Sequence, residues 1–315
     1  MPEQLSLGVD IGGTNTVFGL VDIQGKILYK DKLSTRAYSK PAELVDAISI
    51  NIKANMPAGY SLKGIGIGAP NGNYYTSCIE FAPNLPWEGT IPMAYLFSSV
   101  LNAPAILTND ANAAAMGEMI YGAAQGMRDF IVITLGTGLG SGIVVNGQVL
   151  YGNDGNAGEL GHVIVFDEGR DCGCGRKGCL EAYASATGIT RTVVELLSLS
   201  TSTSSLSKTP VAELNSKIIY DAALLGDTIA LEAFDYTAKI LGKALANAVA
   251  FSCPEAIILF GGLAHAKEFI LEPSRLYMEE YMLGIYKNKV KLLASNLPES
   301  DAALLGASAL AWNEA

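Results

Sequence analysis

"LSLGVDIGGTNTVFGLVDIQGKIL", residues 5–28, begins as an apolar strand, breaks at Gly12-Gly13, and resumes as a second strand that turns at Ile23-Gln24-Gly25. Such β-branched runs punctuated by Gly turns read as a hairpin meander. The pattern returns about 120 residues later in "DFIVITLGTGLGSGIVVNGQVL" (129–150). There "GIVVNGQVL" (142–150) aligns with "GLVDIQGKIL" (19–28) across one gap, and each follows a strand ending in a Gly/Thr turn. One supersecondary unit used twice predicts two similar lobes, and ligand clefts favour the interface between lobes.

Strands and helices alternate around both units. "PAELVDAISINIKANM" (41–56) carries Leu44, Ile48, Ile52 and Met56 at helical spacing. "LKGIGIGAP" (62–70), "APAILTND" (103–110) and "EAIILFGGLA" (255–264) read as strands. "DANAAAMGEMIYGAA" (110–124), residues 227–252 and "ESDAALLGASALAW" (299–312) read as helices, the second closed by Cys253-Pro254. The Ser/Thr-rich stretch 197–210 reads as an exposed loop, because its composition builds no packed core. The whole is an α/β architecture.

At 315 residues the chain has room for about two domains, and with half of it hydrophobic it has ample core material. A formal net charge of −10 and the lack of any basic run argue against nucleic acid as a partner. The apolar runs fall short of the ~18–20 residues a membrane span needs. "MPEQLSLGVDIGG" shows no leader pattern. These features predict a cytoplasmic protein acting on small molecules, with neither nucleic acid nor membrane as a partner. Thiols stay reduced in that compartment, so clustered cysteines point to metal or catalysis rather than disulfides.

Five stretches carry candidate chemistry. In Asp10-Ile11-Gly12-Gly13-Thr14-Asn15-Thr16 the glycines let backbone N–H groups approach a ligand, Thr and Asn add neutral donors, and Asp10 suits a water-bridged magnesium ion. A plain hairpin turn is the competing reading. "TLGTGLGSG" (134–142) and "LFGGLA" (259–264) repeat the Gly-turned strand end. No Walker A motif or helix-opening G-x-G-x-x-G occurs. Asn109-Asp110 opens a predicted helix, as a cap or as a proton acceptor for a substrate hydroxyl. His162, Cys172, Cys174 and Cys179 form H-x9-C-x-C-x4-C, a Cys3His set suited to structural zinc. Cys78 and Cys253 stand alone and read as packing residues.

Taken together, "DIGGTNT", "LGTGLGSGIVVNGQ", "FGGLA" and "GNAGELGH" followed by "CGCGRKGCLE" resemble the ROK family of sugar kinases, in the family's order and over nearly the whole chain. The resemblance implies two ribonuclease H-like (actin-like ATPase) lobes with an interdomain active-site cleft. The small lobe would be residues 1–118 with the C-terminal helix 299–315, and the large lobe 119–298. ATP, magnesium and structural zinc would be the cofactors, and a homo-oligomer, dimer or tetramer, the assembly. With "DIGGTNT" so near the first residue, the family's helix-turn-helix region is expected to be missing.

By position, the resemblance makes Asp110 the general base toward a sugar 6-hydroxyl, with Asn109 orienting the same end. Asn84, Glu159, His162 and Glu181 would contact the sugar. Asp10, Gly12, Gly13, Thr14, Asn15, Thr137 and Gly138 would serve the phosphates and magnesium, and Gly261 and Gly262 the adenosine. "EFAPNLPW" is most similar to the glucokinase branch, so glucose is the expected substrate. Fructose, mannose, N-acetylmannosamine or allose kinases, or a non-catalytic sugar sensor, are the alternatives. Asn15 stands where many relatives carry Lys, leaving that turn without a cation, and residues 68–81 have no assigned role.

Overall fold

A computed structural model describes residues 3–199 and 203–314. The first meander forms β1 (Glu3–Ile11), β2 (Asn15–Val21) and β3 (Ile27–Ser34). β4 (Tyr60–Gly68) and β8 (Ala105–Thr108) complete a sheet of order β3-β2-β1-β4-β8, antiparallel within the hairpins and parallel beyond. The second meander gives β9 (Phe130–Leu135), β10 (Leu139–Val145) and β11 (Gln148–Val149). With β12 (Ala256–Phe260) and β13 (Lys291–Ala294) they form a sheet of order β11-β10-β9-β12-β13 with the same pattern of pairings. The duplicated unit seen in the sequence is thus the nucleus of two like sheets.

Residue alternation explains what covers each face. In β1, Leu5, Leu7, Val9 and Ile11 share a core with Leu44, Val45, Ile48 and Ile52 of α1 (Pro41–Asn55) and with Phe97 of α2 (Met93–Leu101). The opposite face is kept small. Ser6 Oγ lies 2.7 Å from Ser308 Oγ of α8 (Glu299–Glu314). A Cβ on Gly66 of β4 would fall 1.8 Å from the Ala307 carbonyl oxygen. The alternation of Gly and Ile in "KGIGIG" therefore sets a helix directly on the sheet, on the side away from α1.

α3 (Asp110–Tyr121) packs against α8 and against β9 and β10, so these two helices fill the space between the sheets. Its Ala113, Ala114 and Ala115 join Phe130, Val132, Val144 and Leu310 in one cluster. Beyond the second sheet lies α6 (Thr228–Ser252), flanked by α4 (Ala186–Leu199), α5 (Ser216–Leu224) and α7 (Leu271–Tyr281). β9 is apolar on both faces because both are covered. A three-stranded sheet, β5 (Gly72–Asn73), β6 (Cys78–Glu80) and β7 (Thr90–Ile91), has no clear signature in the sequence.

Two expectations need correction. The 197–210 stretch, apart from 200–202 outside the described residues, is not simply exposed. α4 runs through Leu199, Leu206 is only 2% accessible, and Asp227 accepts hydrogen bonds from the Ser204 and Ser205 hydroxyls. One Leu plugged into the helical core, with a carboxylate to gather the hydroxyls, overrides the composition. Cys253 is not a packing residue: it is exposed and forms the left-handed C-cap of α6 (φ +47°). Among the described residues no helix is long and apolar enough to cross a membrane.

Leu310 is fully buried between the lobes. Leu310→Ala should cost about 2–5 kcal/mol, read as a lowered Tm in thermal melts, while Leu310→Met stays close to wild type.

Candidate active site

The strand ends of both sheets and the N-terminus of α3 meet around a cavity of about 1010 Å³. Its wall includes Asp10, Asn84, Asn109, Asp110, Thr137, Gly138, Glu159, His162, Glu181 and Gly261. These residues lie up to 251 positions apart in the chain, and the two-sheet architecture gathers them. Gly12, Gly13, Thr14, Asn15 and Gly262 lie beside the cavity rather than on its wall. The Gly13 Cα backs onto the Asn84 backbone, and Gly262 opens a short 3-10 helix that leads away. Trp87, buried and donating from Nε1 to the Tyr38 carbonyl at 3.0 Å, anchors the segment that carries Asn84.

The Asn109-Asp110 pair resolves into two roles. Asn109 is the N-cap of α3: its Oδ1 accepts from the Asn112 N–H at 2.7 Å. Capping therefore falls to Asn109, and Asp110 at the first helical position points its carboxylate at the cavity, with Oδ1 accepting from its neighbour Ala111 N–H at 2.8 Å. Asp110 is open to solvent through the cleft mouth, yet protein encloses it on the other sides. That enclosure raises its carboxyl above the usual range, against the opposing pull of the Ala111 N–H. Asp10, at the end of β1, is pushed up to about 7 by burial and then by the charge of Asp110.

The cavity wall carries five carboxylates, from Asp10, Glu80, Asp110, Glu159 and Glu181, and neither Lys nor Arg. Two carboxyls raised by burial, Asp10 also by the charge of Asp110, form a donor set suited to a divalent cation. The sequence reading missed a cation next door. Arg36, in the 3-10 turn after β3, donates from Nε to the Gly13 carbonyl at 3.3 Å. Thr35 fastens that turn by donating to the Gly12 carbonyl at 2.7 Å. The first glycine turn therefore has a guanidinium beside it although Asn15 is neutral.

Behind the opposite wall, His162, Cys172, Cys174 and Cys179 bring their ligand atoms within 4.8 Å of one another. Cys172 Sγ is 3.6 Å from His162 Nδ1, and Cys174 Sγ is 3.7 Å from Cys179 Sγ. Zn–S bonds of ~2.3 Å and Zn–N bonds of ~2.0–2.1 Å at tetrahedral angles require edges of about 3.5–3.8 Å, so the set fits zinc. Arg176 pulls the exposed Cys174 thiol down to about 6, while burial pushes Cys179 up to about 12. His162 Nε2 is turned the other way, 4.0 Å from Glu159 Oε2. Burial raises the Glu159 carboxyl, and His162 offsets part of that.

Glu181 ties the two walls together. Its Oε2 accepts from the Leu139 N–H at 2.9 Å, in the second glycine turn, and its Oε1 is 3.8 Å from Cys172 Sγ. A carboxylate has lone pairs left for a ligand after one such bond. Pro70, Asn71, Gly72, Glu80, Phe81, Ser141 and Asn156 also line the cavity and were not expected there. The only signal for the first five was the long polar stretch at 68–81, which has no helical or strand period.

The model of the family described as "ROK family" matches residues 6–314. Among curated proteins, a glucokinase of Halalkalibacterium halodurans is 35% identical over 313 residues, covering 97% of this chain and 94% of the relative. A glucokinase of Thermotoga maritima is also 35% identical over 313 residues, covering 98% of both chains. Among solved structures, a ROK family glucokinase from Streptomyces griseus in complex with glucose and AMPPNP superposes with a TM-score of 0.80 at 35% identity, over 97% of this chain and 98% of that one. The duplicated sheets, the cleft between them and these full-length matches lead to one conclusion: the chain belongs to the ROK family.

Proposed function

We propose that this protein is an ATP-dependent hexose kinase that phosphorylates the 6-hydroxyl of its sugar, with glucose the foremost substrate. The observation that carries the reading is Asp110, freed from capping by Asn109 and aimed into a cavity lined by hydroxyl-binding side chains. Similarity to full-length glucokinases supports it. We place the lobes at 1–118 with 299–315 and at 119–298, and the protein in the cytoplasm, where its co-substrate is held.

In this reading Asp110 accepts the proton of the attacking hydroxyl, and Asn109 offers its Nδ2 amide to the same end of the sugar. Asn84, Glu159, Glu181 and the Nε2 of His162 hold the remaining hydroxyls. Backbone N–H groups at the two glycine turns and Arg36 face the phosphates, and Gly261 lies against the adenosine. Asp10 is the residue that would hold magnesium, which supplies charge neutralisation at the phosphate oxygens when bound. Positioning carries most of such a transfer, because little covalent chemistry is asked of the protein. Zinc held by His162 and the three cysteines would fix the imidazole so that its free nitrogen faces the sugar.

Three variants, a pH profile and a hexose panel test this. Asp110→Asn should lower kcat by about 10²–10⁴-fold in a coupled ADP-release assay with glucose. In wild type, kcat/KM should fall as pH drops through a value above the ordinary carboxylate range, because a protonated Asp110 accepts nothing; the variant should lack that limb. Near-equal turnover of the two proteins would remove Asp110 as base, and a panel of hexoses read as kcat/KM ratios would rank the substrates. Arg36→Ala should raise KM for ATP about tenfold with KM for sugar unchanged, and adding Asn15→Lys should restore part of the loss. Cys179→Ser should abolish zinc measured by elemental analysis, lower Tm and raise KM for sugar; an unchanged KM in the folded, zinc-free variant would reduce the knot to a staple.

A further inference from the structure

We infer that the hairpin spanning residues 70–81 is a strap that aims the sugar-binding loop of the opposite lobe, with Asn73 as its positioning residue. This rests on the kinase reading for the identity of the ligand. The strap belongs to the first lobe: its β5 packs against β8. The loop it grips, 151–156, belongs to the second and runs straight on to Glu159 and His162.

Asn73 is only 5% accessible, and every polar atom of its side chain is engaged. Its Oδ1 accepts from the Tyr75 and Thr76 N–H groups at 3.0 and 3.3 Å, closing the hairpin turn. Its Nδ2 donates across the lobes to the Asp154 carbonyl at 2.7 Å, and to Glu80 Oε2 at 3.3 Å. Glu80 is held in turn by the Thr76 hydroxyl at 2.7 Å. Two further contacts run the same way. The Tyr75 hydroxyl donates to the Gly152 carbonyl at 2.9 Å, and the Tyr74 ring stacks on Tyr151 at 3.9 Å with the planes 6° apart.

The fit leaves no slack on the loop side. Gly155 sits at φ +90°, and a Cβ there would lie 2.5 Å from Asn73 Oδ1. Past this point, Asn156, Glu159 and His162 line the cavity. The strap's own ends, Asn71 and Phe81, line it too, both left-handed at φ +51° and +50°. Asn71 Nδ2 holds that shape by donating to the Glu80 and Phe81 carbonyls at 3.0 and 3.3 Å. Strap and loop are therefore one wall of the site, assembled from two lobes. The far part of the loop is pinned from its own lobe, where the Leu160 N–H donates to Ser141 Oγ at 3.1 Å and that hydroxyl bonds to the Gly158 carbonyl. The strap pins the near part from across the cleft. A displacement of order 1 Å at Glu159 is enough to spoil a near-attack geometry.

Asn73→Asp is the discriminating variant. It keeps the Oδ1 acceptor that closes the turn, but sets an oxygen against the Asp154 carbonyl in place of a donor. Steady-state kinetics should show KM for glucose raised about tenfold, as for a lost buried hydrogen bond. KM for ATP should stay within about twofold, and the glucose-to-mannose kcat/KM ratio should shift as the wall moves. Tyr75→Phe, which removes only the bond to Gly152, should shift glucose KM in the same direction by less. A folded Asn73→Asp protein with glucose KM and the glucose-to-mannose ratio both unchanged overturns the strap, even if its Tm is lower. If wild type releases no ADP with any hexose, the kinase reading fails on its own. Glucose binding by calorimetry on the same three proteins then tests the strap: weaker binding in Asn73→Asp supports it, equal binding overturns it.

Discussion

The alanine-rich helix α3 is wedged between the two sheets, and the site depends on that wedge. Its small side chains let it lie on β9 and β10 while packing against α8. This fixes the axis along which its N-terminus meets the cleft. Asn109 then satisfies the N–H group of Asn112 that the helix leaves unpaired, so the first helical residue, Asp110, is left facing the cavity. A polar cap at the end of a buried helix thus sets where the Asp110 carboxylate stands.

Electrostatics gives the cavity its chemical character. Five carboxylates line it without Lys or Arg; burial raises the carboxyls of Asp10 and Asp110, and the charge of Asp110 raises Asp10 further. Such a lining favours a ligand that carries positive charge. Arg36 stands at the edge, bonded to the backbone of the first turn, where it adds charge without neutralising the acids inside. The opposite wall has a different support. Glu181 reaches from the cysteine knot to the Leu139 N–H, so the Cys3His set is linked to the second glycine turn.

Much of this was legible in the order of residues. The repeated hairpin unit, the Gly-turned strand ends, the Asn-Asp pair and the H-x9-C-x-C-x4-C spacing are local patterns, and each became the local structure it suggests. The serine-rich stretch misled, because composition averages over a window in which one residue, Leu206, finds a core. Cys253 misled in a related way, since its place is set by the end of α6 rather than by apolarity.

The sequence by itself determined the two-lobe α/β plan, the family and the inventory of candidate groups, since periodicity and spacing are written in neighbouring residues. Only the tertiary structure decided that Asn109 caps while Asp110 faces the cavity, that Arg36 stands by the first turn, and that residues 70–81 wall the site. The reason is the range of the contacts involved. Arg36 with Gly13, Asn73 with Asp154 and Ser6 with Ser308 are pairs separated by 23, 81 and 302 positions. No local pattern encodes such pairs; the first needs the folded meander, and the other two need elements from distant parts of the chain to pack together.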